Sequence, residues 1–202
     1  MAFTVIPNSD IDPGSPLSTD LMTKLRDNDD FLFAERAGLV LVEKKLVTAD
    51  VQDLTFSGLD GNTDEVYRLV GRIVVSGVAE DVTLRPNNIS TNQDSLSIFE
   101  SSSSTQRITS TNLALSLTAA SEVLHAFDAI FWAKNNPNSI ATNRVLQSEW
   151  GTYVAALPSR VGQSRGLWDD DSTNITSLVI HGEAADTIRN GSTVALYKLR
   201  QS

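Results

Sequence analysis

The stretch Thr193–Leu199, with the sequence TVALYKL, decides the fold class of this chain. Successive side chains of a β-strand point to opposite sides of its sheet. Val194 and Leu196 would therefore share one face, and Tyr197 and Leu199 the other. Because both faces are partly apolar, the stretch predicts a strand that is covered on both sides.

Similar runs recur from residue 39 onward, and turn-forming clusters such as Asp60-Gly61-Asn62 and Asn190-Gly191-Ser192 separate them. Short strands at regular spacing, without amphipathic helices between them, predict a mainly β chain folded as an antiparallel β-sandwich. The number of strands and the lack of an internal repeat favour a jelly roll. The predicted strands are 39–42 with 46–47, 51–56, 66–75, 81–84, 95–99, 106–109, 113–117, 122–133, 144–149, 152–156, 177–181 and 193–199.

The first 37 residues predict a separate N-terminal segment, ahead of a β-sandwich domain over residues 38–202. Residues 1–14 are rich in Pro, Asp and Gly and predict an extended arm. Ser15 and Pro16 suit the start of one α-helix that runs to about residue 36. This helix would dock on its own domain or on a neighbour, or form a short three-stranded bundle. The expected anchoring or oligomer contacts are Leu17, Leu21, Met22, Leu25 and Leu32.

Composition narrows the classes of function. The chain has 202 residues, a net charge of -9 and no cysteine. A strongly acidic protein repels phosphate backbones, so nucleic acid is not an expected partner. The absence of cysteine excludes disulfides and thiolate metal sites, and suits folding in a reducing cytoplasm. We expect no signal peptide and no membrane span, because no sufficiently long apolar run occurs.

A serine motif needs separate consideration. The run Gly162-Gln163-Ser164-Arg165-Gly166 matches the G-x-S-x-G pattern, and residues 169–171 and His181 complete the order Ser, Asp, His of the α/β-hydrolases. The nucleophile of that family lies on a sharp turn from a buried strand into a helix, whereas the residues after Gly166 are turn-rich. The sequence therefore predicts an exposed glycine loop, no catalytic residue and no enzyme.

Metal and cofactor sites are not expected either. The run from Asp60 to Glu65 resembles the start of a calcium loop, but Glu65 and Gly71 stand where an EF-hand needs glycine and glutamate. A plain β-turn is expected there, with a looser calcium site as the alternative. His125 and His181 both fall in predicted strands, and two histidines do not make a typical zinc site.

Aromatic residues are the candidate ligand contacts. Trp132, Trp150 and Trp168 are spread through the second half of the chain, and Tyr153 lies near Trp150. Exposed aromatic rings on a sandwich rim can bind ligands by stacking. The expected glycan contacts are Trp150, Tyr153 and Trp168, with the alternative that the tryptophans fill the core or a subunit contact.

Two groups of residues carry a resemblance to a known class of proteins. Residues 14–28 contain Ser15-Pro16, Asp20-Leu21-Met22 and Arg26-Asp27-Asn28. They are similar to a segment near the N-termini of many virion surface proteins of tailed bacteriophages, particularly fibre and appendage proteins. The second group resembles the β-sandwich module of such proteins. It comprises residues 56–64, Tyr67-Arg68-Leu69, Arg85-Pro86-Asn87, Ile180-His181-Gly182 and residues 191–197.

This resemblance implies a structural component of the phage particle: a tail appendage, a head fibre or a capsid decoration protein. Such proteins are often homotrimers in which an N-terminal segment anchors to other virion proteins and a sandwich projects outward. The implied location is the virion, after assembly in the host cytoplasm. The alternative function is a carbohydrate-binding module that recognises host surface glycans.

Overall fold

The computed structural model describes residues 38–75, 81–101, 104–117, 124–134, 144–154, 157–170 and 173–199. The predicted arm and helix, with their contacts Leu17, Leu21, Met22, Leu25 and Leu32, lie outside these residues. The chain divides into two compact units, residues 1–40 with residue 202, and residues 41–201. Residues 38–40 are the only part of the first unit that the structure describes.

The described residues are mainly β, as the sequence predicts. They form twelve strands and a single helical turn, α1, at Gly61–Asp64. The strands are β1 (Leu39–Leu46), β2 (Asp53–Ser57), β3 (Val66–Val74), β4 (Val82–Pro86), β5 (Gln93–Ser101), β6 (Ser104–Ser110), β7 (Leu113–Ser116), β8 (Leu124–Trp132), β9 (Arg144–Val154), β10 (Leu157–Trp168), β11 (Ser177–Gly182) and β12 (Thr193–Leu199).

The strands form two antiparallel sheets. One has eight strands in the order β1-β12-β3-β8-β9-β10-β5-β6, and the other has four in the order β2-β11-β4-β7. One hydrophobic cluster contains buried residues from both sheets, such as Leu69 and Phe131 from the larger sheet and Phe56 and Leu84 from the smaller. Each such side chain stabilises the fold by about 1.5–3 kcal/mol relative to exposure, so both sheets depend on one core.

The alternation predicted from the sequence is clearest in β3 and β8. Tyr67, Leu69 and Ile73 of β3 are fully buried, whereas Val70 between them is 39% exposed. In β8 the same alternation buries Phe127 and Phe131. One face of the eight-stranded sheet therefore packs on the core, and the other points away from it.

β12 departs from its prediction in one respect. Val194 and Leu196 are fully buried, as expected, but Leu199 on the opposite face is 44% exposed and Tyr197 is half-buried. The expectation that this strand is covered on both sides is therefore wrong for the described residues. Its second apolar face stays accessible.

Three local predictions were also wrong. Residues 60–65 form a helical turn rather than a plain β-turn, because the Asp60 carboxylate accepts a hydrogen bond from the Thr63 amide and caps α1. Residues 157–168 form β10, where the glycines predict an exposed loop. The sequence predicts two strands over 144–149 and 152–156, whereas Arg144–Val154 form one strand, β9, and residues 155–156 lie outside the described residues.

The glycines of β10 make room for large neighbours. Gly162 pairs with Phe99 of β5 on one side and with Trp150 of β9 on the other. A Cβ at this position would lie 2.6 Å from both Phe99 Cβ and Trp150 Cζ2, so only glycine fits without a shift. Likewise, a Cβ at Gly166 would lie 2.5 Å from a methyl group of Leu113. These glycines are required for packing within β10. In the sequence, however, they resemble the glycines of a loop.

Candidate functional site

Ser164 is a buried strand residue. It lies in β10 with no exposed surface, and its Oγ is 2.7 Å from Ser97 Oγ. The indole Nε1 of Trp150 donates a hydrogen bond of 2.8 Å to the same Oγ. The prediction of an exposed loop around Ser164 is therefore wrong, because its side chain points into the core between β5 and β9.

The other members of the serine motif lie elsewhere. His181 belongs to β11 in the four-stranded sheet, and its Nδ1 is 2.6 Å from Asp53 Oδ1 of the neighbouring β2. Both histidines lie in strands, as predicted, since His125 is a buried residue of β8. The structure thus places Ser164 and His181 in different sheets and does not bring them together as a triad.

Arg144 links β9 to the connection that follows β10. This arginine is 1% exposed, and it donates hydrogen bonds to the carbonyl oxygens of Ala133 (2.9 Å), Asp170 (2.7 Å) and Thr173 (2.5 Å). Its guanidinium carbon lies 5.0 Å from the ring centroid of Trp168. Hydrogen bonds to carbonyl groups compensate for the burial of the charged guanidinium. Arg144 therefore holds the backbone of this connection at Asp170 and Thr173.

The aromatic prediction needs correction. Trp168 has no exposed surface and Trp150 is 4% exposed, so neither presents a ring face on which a sugar could stack. Both fill the core, which was the alternative. Tyr153 is half-buried, and Trp132, at 41% exposure, is the tryptophan that solvent reaches.

The acidic turn at α1 is bonded within the protein. Asp60 accepts hydrogen bonds from the hydroxyl of Thr63 (2.8 Å) and from the side-chain amide of Asn174 (3.0 Å). These two hydrogen bonds hold the pKa of the Asp60 carboxyl below its usual value, and the bond from Thr63 has the larger effect. Asp64 accepts hydrogen bonds from Tyr67 Oη and Lys198 Nζ, each of 2.7 Å.

Burial, followed by the bond to Asp64, raises the pKa of Tyr67 far above its usual value. Tyr67 therefore stays a neutral donor. Within the described residues, no three His, Asp or Glu side chains gather closely enough to hold a metal ion.

The most distinctive surface is the side of the eight-stranded sheet that points away from the core, which we call the outer face. One row across it comprises Val70, Asp128, Glu149, Gln163 and Ile98, which lie side by side on β3, β8, β9, β10 and β5. The neighbouring residues of each strand point the other way, into the core. The row thus identifies the outward positions of five strands.

Exposed apolar side chains concentrate on this sheet. The described residues include ten large hydrophobic side chains that are exposed, and all ten lie on strands of the eight-stranded sheet. Six of them occupy the outer face: Val70, Ile98, Trp132, Val161, Leu167 and Leu199. Single exposed apolar residues are ordinary on protein surfaces, whereas a concentration on one face indicates an interaction site.

The outer face also differs from the whole chain in charge. Arg68 donates to Asp128 through Nε, at 2.8 Å, and this ion pair raises the pKa of the guanidinium. Counted over the outward positions of β12, β3, β8, β9, β10, β5 and β6, the positive and negative charges are equal. They are Arg68, Arg72, Arg107, Arg165, Asp94, Glu100, Asp128 and Glu149.

A hollow of about 460 Å³ opens on the outer face above Gly162. Outward side chains such as Glu100, Glu149 and Gln163 form its walls, and Phe99 and Trp150 contribute to its floor. Its volume lies within the range of small-ligand sites. A Cβ at Gly162 would point away from the hollow and into the core, where it would lie 2.6 Å from Phe99 Cβ and from Trp150 Cζ2.

Sequence reasoning missed the outer face as a site, although one signal for it was present. The two-sided apolar pattern of Thr193–Leu199 predicts a strand covered on both sides, but it does not show what covers the second side. The sequence alone does not give the strand order, so it could not bring Leu199, Val70 and Val161 onto one face.

Comparison with known proteins finds no match among protein-family models, curated proteins or solved structures. Within the described residues, no helix is long and apolar enough to cross a membrane.

Proposed function

We propose that this protein is a structural component of a tailed-phage particle, an assembly or attachment protein on the virion surface that works through protein–protein contacts. In this proposal it is a homotrimer, and residues 1–37 anchor it to other virion proteins. The observation that carries the proposal is the order in which the strands pair.

Eight of the strands pair in a nested order, β1 with β12, β2 with β11, β3 with β8 and β4 with β7. This is the order of a long hairpin rolled into two four-stranded layers, which is a jelly roll. The hairpins β5–β6 and β9–β10 are insertions that extend the larger layer beyond β8. We therefore propose a jelly roll for the β domain.

Jelly rolls are frequent in viral capsid domains and in lectins, so the fold favours these two classes of function by analogy. The surface separates them. An outer face with many exposed apolar residues favours contact with protein, and the resemblance of residues 14–28 to virion proteins favours a particle component. A surface protein of a particle acts by binding its neighbours, which needs such a face.

The test is the composition of purified particles. We expect particles from a density gradient to contain the full chain in a fixed copy number that is a multiple of three, as measured by quantitative mass spectrometry. Deletion of residues 1–37 should leave a chain with native tryptophan fluorescence that no longer enters particles. A chain found only in the soluble lysate, and never in particles, would contradict the proposal.

The hollow above Gly162 favours a second candidate, the binding of a host glycan. Glu100, Glu149 and Gln163 line the hollow and offer hydrogen-bond acceptors to the hydroxyl groups of a sugar. On a glycan array, this function requires binding by the full chain that the Gln163→Ala substitution removes. A blank array would leave the structural function alone.

A further inference from the structure

We propose that the outer face is the surface through which copies of this chain contact one another, in a ring of three. In this arrangement the β12–β3 end of one face packs against the β10–β5 end of the next copy. The number of copies rests on the proposed function, whereas the contact surface is inferred from the described residues alone.

The first argument is the distribution of exposed apolar side chains. Val70 and Leu199 lie at the β12–β3 end, and Ile98, Val161 and Leu167 lie at the β10–β5 end. Val161 and Ile98 are each about half exposed, at 52% and 51%. Both ends thus offer apolar surface that water disfavours, and each can cover the other.

The second argument is charge. Copies of a chain with a net charge of -9 repel one another, so a contact between them needs a surface without that excess. Over the seven strands from β12 to β6, the outer face has equal numbers of both signs, and they are unevenly placed. At the β12–β3 end Arg68 is paired with Asp128 of the adjacent strand β8, which leaves the positive charge of Arg72.

The β10–β5 end, taken with the flanking strands β9 and β6, carries the opposite charge. Three of its outward residues are carboxylates and two are arginines, which leaves one negative charge. They are Asp94, Glu100, Glu149, Arg107 and Arg165. The two ends are therefore complementary, whereas identical ends would repel.

The third argument is area. Eight strands spaced about 4.8 Å apart and roughly nine residues long give a face on the order of 1,000 Å². Stable protein interfaces bury about 800 Å² on each partner. Each copy would bury about half of its face in each of two contacts, so the whole face is covered only when the ring is closed.

The two ends differ, which favours a contact between different patches. A two-fold contact would bring the same patch of both copies together, whereas contact between different patches continues from copy to copy and gives a ring or an open filament, according to the rotation between copies. We propose the closed ring, because the proposed function implies three copies and a ring uses both ends of each.

Sedimentation of the full chain at micromolar concentration tests the contact. We expect the native chain to sediment as a trimer, and both Val70→Asp and Val161→Asp to sediment as monomers, because each places a charge inside the contact. Ile108→Asp is the matched control, since Ile108 is also exposed, at 41%, but lies on the opposite side of β6. It should remain a trimer.

Mixing the two monomeric variants tests the arrangement. The Val70→Asp chain keeps an intact β10–β5 end, and the Val161→Asp chain keeps an intact β12–β3 end, so the mixture should form a one-to-one dimer. A mixture that stays monomeric would overturn the end-to-end contact. A native chain that is monomeric, or variants that remain trimers, would overturn the interface itself.

Acrylamide quenching of Trp132 gives a reading that does not depend on these substitutions. Trp132 lies on the outer face, whereas Trp150 and Trp168 are buried, so quenching of the native chain should increase on dilution. Quenching that is constant while the trimer dissociates would overturn the interface. The proposed function is judged separately, because the presence of the chain in particles does not depend on which face forms the contact.

Discussion

At the scale of the residue, Gly162 explains how β10 packs between its two neighbouring strands. The rings of Phe99 and Trp150 lie 5.7 Å apart between centroids, on either side of this glycine. The Nε1 of Trp150 is bonded to Ser164, which fixes that ring further. β10 therefore requires glycine at position 162, because Phe99 and Trp150 leave no room for a side chain there.

We predict that Gly162→Ala lowers the free energy of unfolding by about 1–3 kcal/mol, because an added methyl group overpacks the core. Gly151→Ala is the matched control on the adjacent strand, since a Cβ there would meet its nearest atom, Tyr153 Oη, at 3.5 Å. This control should change stability by less than about 0.5 kcal/mol. Urea unfolding measures both, and equal losses would contradict the packing role.

At the scale of the element, side chains hold together three connections at one end of the β domain. Asn174 donates to Asp60, accepts from the Asn62 amide, and its carbonyl accepts from the side chain of Asn87. The side-chain oxygen of Asn87 in turn accepts from the amides of Thr176 (2.8 Å) and Ser177 (3.2 Å). The helical turn α1 thus joins the connections that follow β4 and precede β11.

The lowered pKa of Asp60 makes this network sensitive to acid. A carboxylate whose pKa is lower in the folded protein contributes stability above its unfolded pKa of about 4, and loses it as the pH falls through the folded value. Asp60→Asn keeps a capping side chain but no charge. We predict that the native chain has a higher melting temperature than this variant at pH 6, and that the gap narrows towards pH 2.

The control for this prediction is Asp169→Asn, which removes an exposed carboxylate that follows β10 and lies outside the proposed contact. Its melting temperature relative to the native chain should change less with pH than that of Asp60→Asn. A constant gap between the native chain and Asp60→Asn across this range would show that the hydrogen bonds of the carboxylate do not depend on its charge.

Most strands could be predicted from the sequence, because alternation and turn residues are local signals. Thr193–Leu199 and Leu113–Ser116 lie within the predicted runs. β10 could not be predicted, since its glycines are set by Phe99, Trp150 and Leu113, which are distant in sequence. The burial of Trp150 and Trp168 and the make-up of the outer face depend in the same way on strand order, which local patterns do not specify.

At the scale of the whole molecule, net charge and the outer face act in opposite directions on association. Each copy carries a net charge of -9, which opposes the approach of a second copy at long range. From β12 to β6 the outer face is neutral and partly apolar, so its contacts act at short range. Association in the proposed ring is therefore limited by the rest of the surface.

We predict that salt strengthens the proposed trimer. The Debye length falls from about 30 Å at 0.01 M to about 8 Å at 0.15 M ionic strength, which screens the repulsion between copies but leaves apolar contact intact. The midpoint concentration for trimer formation, measured by sedimentation, should fall as salt is raised across this range. Val161→Asp should stay monomeric at both ionic strengths, because its added charge lies within the contact. A trimer that salt weakens would contradict this prediction. In that case the attraction between Arg72 and the carboxylates at the β10–β5 end would be stronger than the repulsion between whole copies, and apolar burial would not dominate the contact.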